Sequence, residues 1–176
     1  KLYEQLNPIE TQIKEQLKAG PVCHFDETGL RVDGGLKWLH LASNEQYTYF
    51  FVHDKRGQEA LLSQESIFPD CVNWTIHDCW ASYFTVGKGR HSLCGAHLLR
   101  ELQALIEQGC QWAKAMHDYL MAAYEATRHG PIGLNQQALW RMNYQQICQQ
   151  ADLEEHPAIT FFKPNGSLGK PKRTKG

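Results

Sequence analysis

Apolar residues near the start of the chain recur at helical spacing. Leu6, Ile9, Ile13 and Leu17 fall three to four positions apart and predict a helix over 3–19. Asn7-Pro8 reads as a cap followed by a first-turn proline, and Gly20-Pro21 ends the helix. The period then changes. Segments 22–26, 36–41 and 47–53 are short β-rich runs, separated by the turn-like Asp33-Gly34-Gly35 and Ser43-Asn44-Glu45. Three such runs in succession predict an antiparallel meander. Tyr47, Tyr49, Phe50 and Phe51 are expected in the core of that sheet.

Further along, the pattern predicts a short helix over 57–63, a fourth strand over 71–76, a helical turn over 80–84 and a short fifth strand over 91–93. From Cys94 the text is helical, with Leu98, Leu99, Leu102, Leu105 and Ile106 on one broad apolar stripe. Helices are also expected over 112–128 and 134–150, with breaks at Gly109 and Gly130-Pro131. A meander followed by helix-connected strands is an α/β order. It matches the opening half of a ribonuclease-H-like fold.

Composition narrows the class. The chain has 176 residues, enough for one substantial core. No apolar run approaches the ~20 residues of a membrane span, and Lys1-Leu2-Tyr3-Glu4 lacks the apolar stretch of a signal peptide. A cytoplasmic protein is expected. Six cysteines spread thinly along the chain (Cys23, Cys71, Cys79, Cys94, Cys110 and Cys148) fit reduced thiols better than a disulfide framework. The net charge of −1 hides a division: residues 161–176 hold five basic side chains and no acid, which leaves −6 on residues 1–160. That Gly/Pro/Lys-rich tail, with Lys163, Lys170, Lys172, Arg173 and Lys175, is expected to be flexible. It suits either a solvated linker or a segment that touches phosphates.

Two acids stand at informative places. Asp26 is expected to close the first strand and Asp78 the fourth. Carboxylates at the ends of adjacent strands can share a divalent ion, and Mg²⁺ prefers oxygen donors and keeps several waters, so two or three carboxylates make a site that also holds substrate phosphates. Either residue could equally cap a turn. Cys94 and His97, three apart on a helix, share a face. No second pair with ligand spacing accompanies them, so packing and hydrogen bonding explain them better than zinc. Glu101 lies on the same side and is expected to pair with a cation, since a carboxylate beside an apolar stripe is costly alone. Glu154 and Glu155 are expected to be solvated. There is no Gly-rich phosphate loop and no Gly-x-Ser-x-Gly elbow.

The series His24-Phe25-Asp26-Glu27-Thr28-Gly29, Val32-Asp33-Gly34, Trp38-Leu39-His40, Lys55-Arg56-Gly57, His77-Asp78-Cys79-Trp80 and Leu93 through Leu102 resembles the transposases of the insertion sequence 66 family, in order and spacing. The likeness covers about residues 20–115 and weakens toward 176. It implies a ribonuclease-H-like mixed sheet with flanking helices and an Asp-Asp-Glu site, in which Asp26 and Asp78 match the first two acids and hold Mg²⁺ or Mn²⁺. Cys94 and His97 match a Cys-x-x-His signature near the second acid and, with Glu101, would support the site without binding metal. On this reading residues 1–20 are an N-terminal helix, 21–109 a partial core, 110–160 a helical insertion and 161–176 a basic tail.

The resemblance further implies a bacterial cytoplasmic enzyme that acts on DNA, both transposon ends and target, and is homo-oligomeric at full length. Lys55, Arg56, Lys88, Arg90, Lys172 and Arg173 are the candidate phosphate contacts. The third acid and the helix that carries it are expected beyond Gly176, which would leave this chain short of a complete site. A ribonuclease-H-like nuclease without strand transfer, and a non-catalytic DNA- or protein-binding remnant, remain the alternatives.

Overall fold

The computed structural model describes residues 2–154. They divide into two compact units between Cys94 and Gly95. The first holds α1 (Leu2–Ala19), β1 (Val22–Val32), β2 (Gly35–Ser43), β3 (Thr48–His53), α2 (Gln58–Leu61), a single 3₁₀ turn (Phe68–Asp70), β4 (Trp74–His77), α3 (Ala81–Val86) and β5 (Arg90–Leu93). The second is all-helical: α4 (Gly95–Glu107), α5 (Gln111–Thr127) and α6 (Leu134–Glu154).

The five strands form one mixed sheet in the order β3-β2-β1-β4-β5. β1, β2 and β3 are the expected antiparallel meander, whereas β4 runs parallel to β1 and β5 parallel to β4. Antiparallel neighbours need only a short turn; the parallel ones need the crossovers that carry α2 and α3. A mixed sheet of this order with flanking helices is consistent with a ribonuclease-H-like fold.

The β1–β2 turn shows how locally the sheet is specified. Val32 pairs with Gly35, so Asp33-Gly34 is a two-residue loop. Both residues have positive φ, +50° and +80°. That is the geometry of a type I′ hairpin, which Asp-Gly adopts readily.

Strand alternation then divides the side chains between two faces. Cys23 and Phe25 from β1, Ala42 from β2 and Tyr49 from β3 meet Leu17, Leu61, Ile67, Phe68, Cys71 and Tyr83 in the core. Phe68 is its centre, edge-on to Phe25 at 4.8 Å and to Tyr83 at 5.2 Å between ring centroids. His24, Asp26, Phe50, Val52 and Trp74 are exposed.

Several sequence expectations are corrected. α1 begins at Leu2 and runs through Pro8, so Asn7 is no cap. Pro8 lies in the second turn, past the positions where proline costs nothing, and the helix runs on through it with one backbone donor fewer. β1 is eleven residues long, because the tight hairpin lets it pair with β2 out to Val32; Asp26 is therefore mid-strand rather than at its end. β4 starts at Trp74, later than expected, because Cys71 caps the 3₁₀ turn that ends at Asp70 and the strand begins only after it. Phe50 is 55% exposed, on the opposite strand face from buried Tyr49. Glu154 is not simply solvated: its carboxylate accepts the N–H groups of Gln111 and Trp112, at 2.5 and 2.9 Å, at the start of α5. Glu101 is exposed and forms no ion pair among the described residues. Among the described residues no helix is long and apolar enough to cross a membrane.

Two core-face histidines are held neutral by burial. His40 and His77 are each nearly inaccessible, and desolvation of the charged ring is the main cause that lowers both below the ordinary value of 6.5. In His77, Nδ1 lies 2.6 Å from the Asp78 carbonyl and must donate to it, so Nε2 accepts from Nδ1–H of His91 at 2.8 Å. Because the unfolded chain binds these protons more readily than the folded one, folding stability should fall as pH drops through and below about 6.5. Thermal melts from pH 8 to 5.5 check this: a midpoint that is flat above about 7 and falls below it is the expected result, and no fall contradicts the buried neutral assignment.

Candidate active site

The parallel pairing of β1 with β4 runs Val22–Trp74, Cys23–Thr75 and His24–Ile76. Continued two residues, the same register sets Asp26 level with Asp78, on strands about 4.8 Å apart. Asp26 is exposed, and its Oδ1 accepts the Glu27 N–H at 2.9 Å, its only hydrogen bond among the described residues. Asp78 lies one residue past the end of β4, where the chain turns into α3. Its Oδ1 accepts the Trp80 N–H at 3.0 Å, an Asx turn that fixes the carboxyl group. Asp26 and Asp78 thus each stand two residues past the last β1–β4 pair, His24–Ile76.

Glu27 is the residue that sequence reasoning missed. Alternation puts it on the core face, after Cys23 and Phe25, and its side chain is only 2% exposed. A buried carboxylate needs partners. Oε1 accepts from Arg56 Nε at 2.7 Å, and Oε2 accepts from the Tyr83 hydroxyl. The signal was available in the strand period: an acid two positions after buried Phe25 must find a cation or a donor.

Arg56 ties this carboxylate to the second acid. Its Nη2 lies 3.5 Å from Asp78 Oδ2. Its guanidinium carbon sits 4.3 Å from the Trp80 ring centroid and 5.3 Å from that of Trp38. Two aromatic faces and two carboxylates fix the cation at a distinct orientation. The Tyr83 phenol is pushed far up, first by burial and then by Glu27, Asp78 and Asp26, so it stays protonated and keeps donating to Glu27.

The other expected residues are placed as follows. Lys55 and Lys88 are exposed. Arg90 is exposed too, and stacks on Trp74 with its guanidinium carbon 5.6 Å from the ring centroid. Arg56, by contrast, is committed to the two acids. The Cys94 backbone N–H donates to the His77 carbonyl at 2.7 Å, next to Asp78. His97 and Glu101 belong to the helical unit; His97 Nδ1 is buried with no hydrogen-bond partner among the described residues. Lys172, Arg173 and Glu155 lie outside the described residues. Among the described residues, no group of three or more His, Cys, Asp or Glu side chains is arranged to hold a metal ion. Asp26 and Asp78 nevertheless offer hard oxygen donors of the kind Mg²⁺ takes, and Asp26 has an oxygen to spare.

With this geometry in hand, comparison with known families is decisive. The family described as Transposase IS66 family matches residues 1–160. The chain belongs to the IS66 transposase family. No curated protein and no solved structure matches it. Membership points to a transposase, an enzyme that acts on DNA. For this IS66 family chain, the matched segment contains both level acids and the Glu27–Arg56 pair.

Removing Arg56 would strand the Glu27 carboxylate in the core. Loss of one partner of a buried pair costs about 3–5 kcal/mol, and the 38% exposure of Arg56 sets the expectation at the lower end. Urea unfolding of Arg56→Ala should therefore show a loss of about 3 kcal/mol, while Lys55→Ala, at an exposed position, should change little. Equal effects from the two variants would contradict the burial argument.

Proposed function

We propose that this chain carries the first part of a ribonuclease-H-like catalytic core of the Asp-Asp-Glu type, and that the transposase to which it belongs cleaves DNA and joins the freed 3′ hydroxyl to target DNA. The single observation that carries this reading is the parallel β1–β4 pairing, whose last pair, His24–Ile76, stands two residues before Asp26 on one strand and Asp78 on the other. The strand order and the family support it.

Asp26 and Asp78 are the residues that would hold Mg²⁺ or Mn²⁺. When bound, the cation would supply activation of the attacking hydroxyl and stabilisation of the leaving oxygen. The chain's own contribution is placement. β1 presents Asp26 from a rigid strand, and the Trp80 amide fixes the Asp78 carboxyl against rotation. A third carboxylate is needed to complete an Asp-Asp-Glu set. Glu27 does not supply it, because both of its oxygens are bonded to Arg56 and Tyr83. Lys55, Lys88 and Arg90 are exposed cations available to DNA phosphates, and contacts of that kind weaken steeply with salt.

Two measurements test this. Calorimetric titration with MnCl₂ should show binding to the parent chain that is weakened at least tenfold by Asp26→Asn and by Asp78→Asn. Unchanged curves for both variants would remove the metal reading. The parent chain, given a donor DNA end, target DNA and Mn²⁺, should produce little or no joined product. Efficient joining would mean that a third acid lies within these 176 residues after all.

A further inference from the structure

The carboxylate site contains a cation of its own. Arg56 has a strong arm and a weak arm: Nε is 2.7 Å from buried Glu27, whereas Nη2 is 3.5 Å from Asp78. Tyr83 and the rings of Trp38 and Trp80 hold the strong side in place. Counting formal charges, Glu27 and Arg56 neutralise each other, which leaves Asp26 and Asp78 with the two negative charges that one divalent cation balances. Without Glu27, Arg56 would cancel one of those two charges. Without Arg56, a third, buried charge would be left uncompensated.

We propose that Arg56 is the built-in counter-ion of Asp78, resting on its Oδ2 until a divalent cation takes its place, and that Glu27 is the anchor that keeps Arg56 there and is not a metal ligand. The inference rests on the two-carboxylate reading above. Exchange needs only the longer contact to loosen; the Glu27 bond and the ring stacking stay intact. Arg56 is thus a positioning residue. It holds the Asp78 carboxylate in the metal-free protein and lowers apparent metal affinity, because the incoming cation must compete with a fixed positive charge at contact range.

The experiment compares MnCl₂ binding, by calorimetry, to the parent chain, Asp78→Asn, and the double variant Glu27→Gln with Arg56→Gln. The double variant removes both charges together, so the cluster's net charge is unchanged and no unpaired ion is left in the core. Circular dichroism checks its fold. Binding at least threefold tighter than the parent is expected. A smaller gain, no change or weaker binding overturns the counter-ion role, and weaker binding would assign Glu27 as a ligand or Arg56 as essential to the site.

A second readout needs no charge removal. The Arg56 side-chain ¹⁵N signal of the parent, assigned by its loss in Arg56→Lys, should move on adding MgCl₂ and stay put in Asp78→Asn. A signal unmoved in the parent at saturating Mg²⁺ overturns the exchange. If the parent binds no Mn²⁺, or Asp78→Asn binds it equally well, the metal site itself falls and takes the exchange with it. If the parent binds through Asp78 but either readout fails, only the counter-ion role falls.

Discussion

The register between β1 and β4 is the constraint on which the rest depends. Parallel strands cannot be joined by a turn, so the chain must travel through β2, β3, α2 and the 3₁₀ turn before β4 can lie beside β1. What holds the returning strand at the right level is side-chain parity. Cys23 and Phe25 on β1, with Thr75 and His77 on β4, all face the core. A slip of one residue would turn His77 out and Asp78 in, burying a charge and exposing aromatic contacts at once. The packing of Phe68, Tyr83 and His77 therefore fixes the position of Asp78 without touching its carboxylate.

That register also explains why the site opens where it does. The described pairing on the β4 side of β1 ends at His24–Ile76, while β1 continues to Val32 paired with β2 alone. β4 stops because Asp78 closes an Asx turn onto Trp80 and hands the chain to α3. The strand carrying Asp26 thus outruns its neighbour just where the neighbour's acid turns away. A long strand beside a short one gives one carboxylate a rigid backbone and the other a turn-fixed one, with the next level of β1 free of β4.

Much of this was legible from residue pattern. The meander, its Asp-Gly turn, the two later strands and all four long helices follow from period and punctuation, whereas Asp26, expected at a strand end, stands mid-strand. Boundaries were the weak point, for identifiable reasons. Pro8 signalled a start that α1 overrides, since the helix was already under way six residues earlier. The β-rich run was read over 22–26 only, yet pairing with β2, Gly29 across to Trp38 included, carries β1 on to Val32. Glu154 looked solvated because its partners, the first amides of α5, lie about forty residues upstream, and no local pattern announces a cap from another helix. Arg56 looked like a surface cation because its sequence neighbours Lys55 and Gly57 are unremarkable; its partners Glu27, Trp38, Asp78 and Trp80 converge only in three dimensions.

The adjacency of Asp26 and Glu27 carries a last consequence. Successive residues on a strand project to opposite faces, so two neighbouring acids cannot both reach one small cation with ordinary backbone geometry. The sheet resolves the pair by giving them different tasks. Asp26 stays at the surface with a free oxygen, and Glu27 goes inward to compensate a cation. On the proposed metal reading, Mg²⁺ would demand near-octahedral placement of its few protein oxygens, so a completing donor would have to approach from an element other than β1. An acid-rich sequence motif at this strand is therefore not a cluster of interchangeable carboxylates: one is left at the surface and its neighbour is spent on the core's own cation.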